Sequence, residues 1–210
     1  MGGIDMKTNT RYIAAILILA LTLGIAGCSA KNVSQARARK AFEKFGAEKI
    51  DESKELMKKI NNYQTECEGG CYYTTDDGDE ARLIVENVIL RTDERPDRDY
   101  RACTYFVAAS EEDYNSMAII YILTFGDEKD AANWFKNTSD NYSYKDTYIS
   151  GKSSGIEYAV CNDLSVQSMN GVYKQGKTVL CLVAFASETS GLKPYEGIIN
   201  DMGLVSPLGT

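Results

Sequence analysis

Histidine is absent from all 210 residues. That absence removes the usual general base, the commonest metal ligand and the side chain that titrates between pH 5 and 8. Ser-His-Asp and Cys-His hydrolases, His-ligated zinc enzymes and haem held by histidine are excluded for this chain. Cationic excess is missing too: 23 Lys and Arg face 30 Asp and Glu, a net charge of −7. A surface of that sign argues against nucleic acid, where neutralising phosphates supplies the affinity. It also disfavours an electrostatic grip on anionic lipids. A complete set of disulfides cannot be counted either, because one of the six cysteines, Cys28, stands apart from the rest and the other five are an odd number.

Long apolar runs are scarce, and the single one present ends on that cysteine. Tyr12 to Ile25 is uncharged and almost entirely Ile, Leu and Ala, preceded by Lys7 and Arg11 and closed by Gly24, Ala26 and Gly27. A basic start, a short apolar middle and small residues at a cleavage point are the three parts of a secretory signal. Counted to Cys28, the uncharged stretch only reaches the lower limit for a membrane-spanning helix. The string Ile25-Ala26-Gly27-Cys28 resembles the lipobox of bacterial lipoproteins. The resemblance implies that the Cys28 thiol is diacylated (a palmitate-type anchor), that residues 1–27 are removed as a signal peptide, and that the mature chain sits on the extracytoplasmic face of the cell membrane. Two or three acyl chains anchor stably where one does not. Met6-Lys7 resembles a natural start, so Met1 and Met6 are both candidates for it. Without residues 1–27 the net charge becomes −8.

Residues 28–37 read as a polar tether, and 38–210 as one domain of a size that buries a sizeable core. "ARARKAFEKFG" has Ala38, Ala41, Phe42 and Phe45 at helical spacing and stops at Gly46. A second helix is predicted after Asp51 as N-cap, with Leu56, Met57 and Ile60 on one face. Cys71 to Thr75 reads as a short strand. The acidic turn after it lacks the calcium-loop spacing. Asp79 is expected to cap a helix with Ala81, Ile84, Val85 and Val88 inward.

Strands follow at 103–109 and 116–125, joined by a polar turn. The second is apolar on both faces and therefore central. Gly126-Asp127 opens a helix with Ala131, Trp134 and Phe135 inward. The last third repeats the order: strands "IEYAVCN", "LSVQSMNGVYK" and "KTVLCLVAFAS", then a helix carrying Leu192, Tyr195, Ile198, Ile199 and Met202. The fold class expected is α+β: an antiparallel sheet with amphipathic helices mainly on one face, arranged as two strand-strand-helix units. The segments "AIIYILTFGDEKDAANWF" and "GVYKQGKTVLCLVAF" resemble small lipoproteins of Gram-positive anaerobes, a family from which no activity carries over.

Cys103 and Cys181 lie in apolar runs, where cysteine behaves as a small hydrophobe. Cys67 and Cys71 flank Gly-Gly, which allows a small-loop disulfide in an exported protein. No cofactor or metal is expected. Ser190-x-x-Lys193, Ser139-Asp140-Asn141 and Lys177-Thr178 resemble the motifs of penicillin-binding proteins and serine β-lactamases. Their order along the chain is wrong, and the third continues with Val179 inside an apolar strand. Tyr142, Tyr144 and Tyr148 share a face if the chain there is extended. With Trp134 they form the candidate ligand-binding set, suited to a protein surface or an envelope glycan. The expected function is a non-catalytic binding module on a lipid anchor. Its alternative is a small histidine-free hydrolase acting on a cell-envelope substrate.

Overall fold

The computed structural model describes residues 32–61, 69–90, 98–109 and 116–209. Cys28 and the whole signal-like segment lie outside them. Helix α1 (Gln35–Phe45) is capped by Ser34, whose hydroxyl accepts the Arg37 N–H, and it stops at Gly46 with φ +94°. Only glycine enters that left-handed geometry cheaply, so the predicted stop falls where expected. The start does not: α1 takes in the last three residues of the expected tether, and Val33 before it is already buried.

Strand β1 (Glu48–Lys49) leads to α2 (Ser53–Asn61). Asp51 is paired with Lys49 Nζ at 2.7 Å. Leu56 and Ile60 point into the core as predicted. Strand β2 (Cys71–Thr75) and helix α3 (Gly78–Ile84) follow, the helix continuing as a π-helical turn through Val85–Leu90. The N-cap of α3 is Asp77, not Asp79: its carboxylate accepts the N–H groups of Asp79 and Glu80 at 2.9 and 3.0 Å. Asp77 occupies the last extended residue before the helix, the position from which a short acidic side chain reaches back to the first orphan amides.

Strands β3 (Tyr100–Ala109) and β4 (Met117–Phe125) precede α4 (Glu128–Asp140), capped by Asp127. Then come β5 (Ile149–Ser153), β6 (Ile156–Asp163), β7 (Ser168–Gln175), β8 (Thr178–Phe185), a 3₁₀ turn (Thr189–Leu192) and α5 (Lys193–Asp201). Among the described residues the strands form one sheet in the order β1-β2-β3-β4-β8-β7-β6-β5. The chain is an α+β protein. The sheet is mixed, which corrects the purely antiparallel expectation: β1 runs parallel to β2, while every other neighbouring pair is antiparallel.

The two apolar strands, β4 and β8, pair at the centre with Tyr121 opposite Cys181. Ile120, Ile122, Leu180 and Leu182 are sealed on one face, and Leu123, Val179 and Cys181 on the other. This is why neither strand alternates with polar residues. The predicted units β3-β4-α4 and β7-β8-α5 are both present in order. Their helices nevertheless leave to opposite faces. Helices α1 and α5 cover the first face, where Phe42 stacks on Phe106 at 4.6 Å, and α2, α3 and α4 cover the second. The expectation of helices mainly on one face is therefore corrected to three layers with the sheet in the middle. Burying both faces of β4 and β8 requires it.

Candidate functional site

Register divides the sheet into two ends. Thr75, Tyr100, Phe125, Ser153 and Gln175 mark one; Ala109, Met117, Ile149, Asp163 and Phe185 mark the other. The predicted aromatic set does not form a row. Trp134 is 6% exposed and sits edge-on to Tyr100 and Tyr121, at 6.4 and 6.3 Å, with the Arg98 guanidinium 5.1 Å from its ring centre. Its helical spacing from Ala131 turns it toward the sheet, so it is a core residue.

After α4 the chain does not extend. The N–H groups of Tyr142, Lys145 and Tyr148 each donate to the carbonyl three residues back, at 3.0 Å, producing successive turns. The period-two argument fails with the strand it presumed. Tyr142 and Tyr148 are half-buried against the second core cluster. Burial pushes the Tyr142 phenol well above its ordinary range, and the neighbouring Cys181 and Cys161 thiols add to the rise. Only Tyr144 stands out in water, 74% exposed, with Lys145 Nζ 5.3 Å from its ring centre. Cys71 is buried at the start of β2, while its candidate disulfide partner Cys67, like Cys28, lies outside the described residues.

The serine motifs are scattered. Ser190 and Lys193 are exposed on the 3₁₀ turn and the start of α5, and Ser190 Oγ donates to Glu188. Ser139 is buried in α4, on the opposite face of the sheet, with its hydroxyl on the Lys136 carbonyl. Lys177 Nζ is used by the Gly126 carbonyl at 2.5 Å. A shallow depression with a volume of about 10 Å³ lies between Tyr158, Tyr173 and residues 203–205. It is smaller than a usual ligand cleft, and the Tyr173 hydroxyl is committed to the Val205 carbonyl at 2.6 Å. Glu80 is held below the usual carboxylate range by the Tyr73 hydroxyl, 2.6 Å away, and burial with that same bond lifts Tyr73 to about 12. This pair clamps α3 to β2.

What the fold does gather, at the Asp163 end, is apolar surface. Leu164 and Val166 occupy the turn between β6 and β7 at 52% and 63% exposure. Tyr144 and Ile149 are exposed on the segment beside it. Val183 is opposite Ile119, and Phe185 opposite Met117, all four at least partly in water.

The turn carrying Leu164 and Val166 is braced from both sides. Asp163 accepts the Ser165 N–H and binds Lys145 Nζ at 2.8 Å. The Lys145 bond, then Ser165, hold the Asp163 carboxyl down at about 2. Gln167 closes the turn with φ +47°, its carbonyl accepting the Ala186 N–H and its side chain taking the Thr189 hydroxyl. A non-glycine residue in that region is strained, and strain of this kind collects where a surface has a task.

The sequence reads residues 164–167 as the start of the strand "LSVQSMNGVYK", whereas they form the turn before it. The usable signal was the Asn162-Asp163 pair before them, which favours a turn. Nothing local in the sequence marks Gln35 or Lys174, whose partners lie on elements distant along the chain. Among the described residues no group of acidic or cysteine side chains could hold a metal ion, and no helix is long and apolar enough to cross a membrane.

No family model matches the chain, and no curated protein matches it. Among solved structures it is similar to the crystal structure of the extracellular domain of PknH from Mycobacterium tuberculosis. The TM-score is 0.35 and the identity 10%, over 83% of this chain and 99% of that one. A TM-score this low does not establish a common fold.

Proposed function

We propose that this protein is a lipid-anchored, extracytoplasmic lipoprotein whose folded part binds a partner protein without catalysis. The lipobox-like string ending at Cys28 supports the location. The observation that carries the binding role is the braced turn: Leu164 and Val166 are held in water by Asp163 and Gln167 instead of folding inward. Apolar side chains fixed in place before binding lose little freedom when a partner covers them. A protein partner fits better than a glycan, because a sugar ring needs exposed aromatic faces and only Tyr144 of the four candidate rings offers one. The neighbouring edge strand β5 adds main-chain groups on its outer side that pair with no other strand of the described residues. The hydrolase reading draws no support from this geometry, since Ser139 lies across the sheet from Ser190 and Lys193, and the Ser190 hydroxyl donates to Glu188.

The test compares capture from host envelope extracts by the lipidated wild-type protein and by a Leu164→Asp, Val166→Asp variant with unchanged circular dichroism. A partner held at this turn should bind the variant at least about tenfold more weakly, the usual effect of disabling a central apolar anchor. Equal capture of every partner by both proteins would remove the turn from the binding role. Mass spectrometry of Cys28 in host-made protein reads the anchor separately.

A further inference from the structure

Residues 33–35 are fastened to one end of the sheet. The Val33 side chain is buried in the first core cluster, and its N–H donates to Gln175 Oε1 at 2.9 Å. Ser34 caps α1. The Gln35 carboxamide reaches the sheet itself, accepting from Thr104 at 2.8 Å and donating to Thr124 at 3.3 Å. Gln175 and Thr124 mark that end of the sheet, and Thr104 lies nearer to it than to the other. Residues 29–32 are then the whole leash between Cys28 and the folded body. Fully extended, the five Cα-to-Cα steps from Cys28 to Val33 cover about 18 Å. The strands from one end of the sheet to the other, eight to ten residues for the central ones, span about 30 Å.

We infer that this short, buried attachment sets how the domain stands on the membrane: the Gln175 end faces the bilayer, and the Leu164–Val166 turn is held out toward the surroundings. The inference rests on the lipid reading of Cys28. Charge does not make the choice, because Lys152 and Lys177 share the Gln175 end with Asp77, Asp99 and Asp127. The leash does, since the attached end cannot leave the lipid surface by more than its length, whereas the opposite end can.

The experiment uses full-length protein made and lipidated in its host, with a donor dye on Lys152→Cys or on Val166→Cys, placed in vesicles carrying a headgroup-linked acceptor. Unsubstituted protein corrects for labelling of native thiols. Energy transfer should be stronger from position 152 than from position 166. A flexible Gly/Ser insertion between Lys31 and Asn32 should shrink the difference. Equal or reversed transfer in lipidated protein overturns the orientation alone, and a difference that survives the insertion overturns the leash as its cause. An unlipidated Cys28 in the mass spectrum overturns both the anchor and the orientation that depends on it.

Discussion

Gln35 Oε1, on the first turn of α1, accepts a 2.8 Å hydrogen bond from the hydroxyl of Thr104, which is sealed from solvent in β3. Thr104 and Thr74, the latter half-buried, are themselves 2.9 Å apart, so one carboxamide serves a linked pair of hydroxyls. Removing the Gln35 acceptor leaves the Thr104 hydroxyl its bond with Thr74, so the loss falls at the low end for a lost buried hydrogen bond, about 1 kcal/mol. Gln35→Ala is therefore expected to lower the stability measured by urea unfolding by that amount. Gln35→Met, which restores bulk but no acceptor, should not recover it. Recovery by methionine would show that packing, and not the hydrogen bond, holds α1 in place.

Lys174 gives the second prediction through an asymmetry. Its side chain is 6% exposed on β7, and Nζ lies 3.2 Å from Glu157 and 3.4 Å from Glu128. Both carboxylates keep much of their surface in water, so they lose little when the lysine goes. Replacing a buried ion-pair member by an apolar side chain of similar volume is often neutral or stabilising, whereas leaving its charge alone in the interior costs about 3–5 kcal/mol. Lys174→Met should change the unfolding midpoint little. The double variant Glu128→Gln, Glu157→Gln should lower it clearly. A larger loss from Lys174→Met than from the double variant would contradict this account.

These two residues show where the sequence stops being readable. The Gly46 stop, the inward faces of α3 and α5 and the central place of β4 all follow from local periodicity and turn chemistry. Each is fixed by residues within a few positions of one another. Gln35 and Lys174 are polar side chains in amphipathic surroundings, and only the packing of distant strands makes them interior. The face chosen by α4 is equally non-local: Trp134 announces a buried side but not which layer it enters. The tyrosines fail for another reason. Their even spacing has meaning only in extended backbone, and the turns from Asn141 onward send Tyr142 inward and Tyr144 outward. Leu164 to Gln167 read as the start of a strand, but the chain there reverses direction.

Asp163 ties the candidate turn to pH. Its native carboxyl titrates at about 2, chiefly because of the Lys145 hydrogen bond and then those from Ser165. An unfolded aspartate titrates near ~3.9. The unfolded chain thus binds this proton more tightly, and the stabilisation is complete above about pH 4 and is lost as the pH falls toward 2. Carbon-13 NMR of the carboxyl should give a midpoint near the lower value. In Lys145→Met it should rise toward the ordinary one, and the same substitution should loosen the turn bearing Leu164 and Val166. An unshifted midpoint in the wild-type protein would mean that the Lys145 brace is not formed in solution.

The remaining prediction concerns Cys103, Cys161 and Cys181, all buried within the strands of the sheet. Burial raises each thiol: Cys181 reaches about 11, Cys103 goes well beyond the normal range, and Cys161 moves in the same direction. The thiolate is the species that reacts, and at pH 8 a thiol of pKa about 11 is ionised to roughly one part in a thousand. An ordinary cysteine at that pH is ionised to about a quarter. Access compounds the effect, because no reagent reaches these sulfurs until strands separate. Iodoacetamide at pH 8 should leave all three unmodified in the folded protein and alkylate them in urea. Peptide mapping by mass spectrometry resolves each site. If the reaction is slow but measurable without denaturant, its rate should rise in the Gln35→Ala variant, since opening would then be the limiting equilibrium. Rapid alkylation of Cys103 or Cys181 in the folded state, at the pace of an exposed thiol, would be incompatible with a sheet covered on both faces.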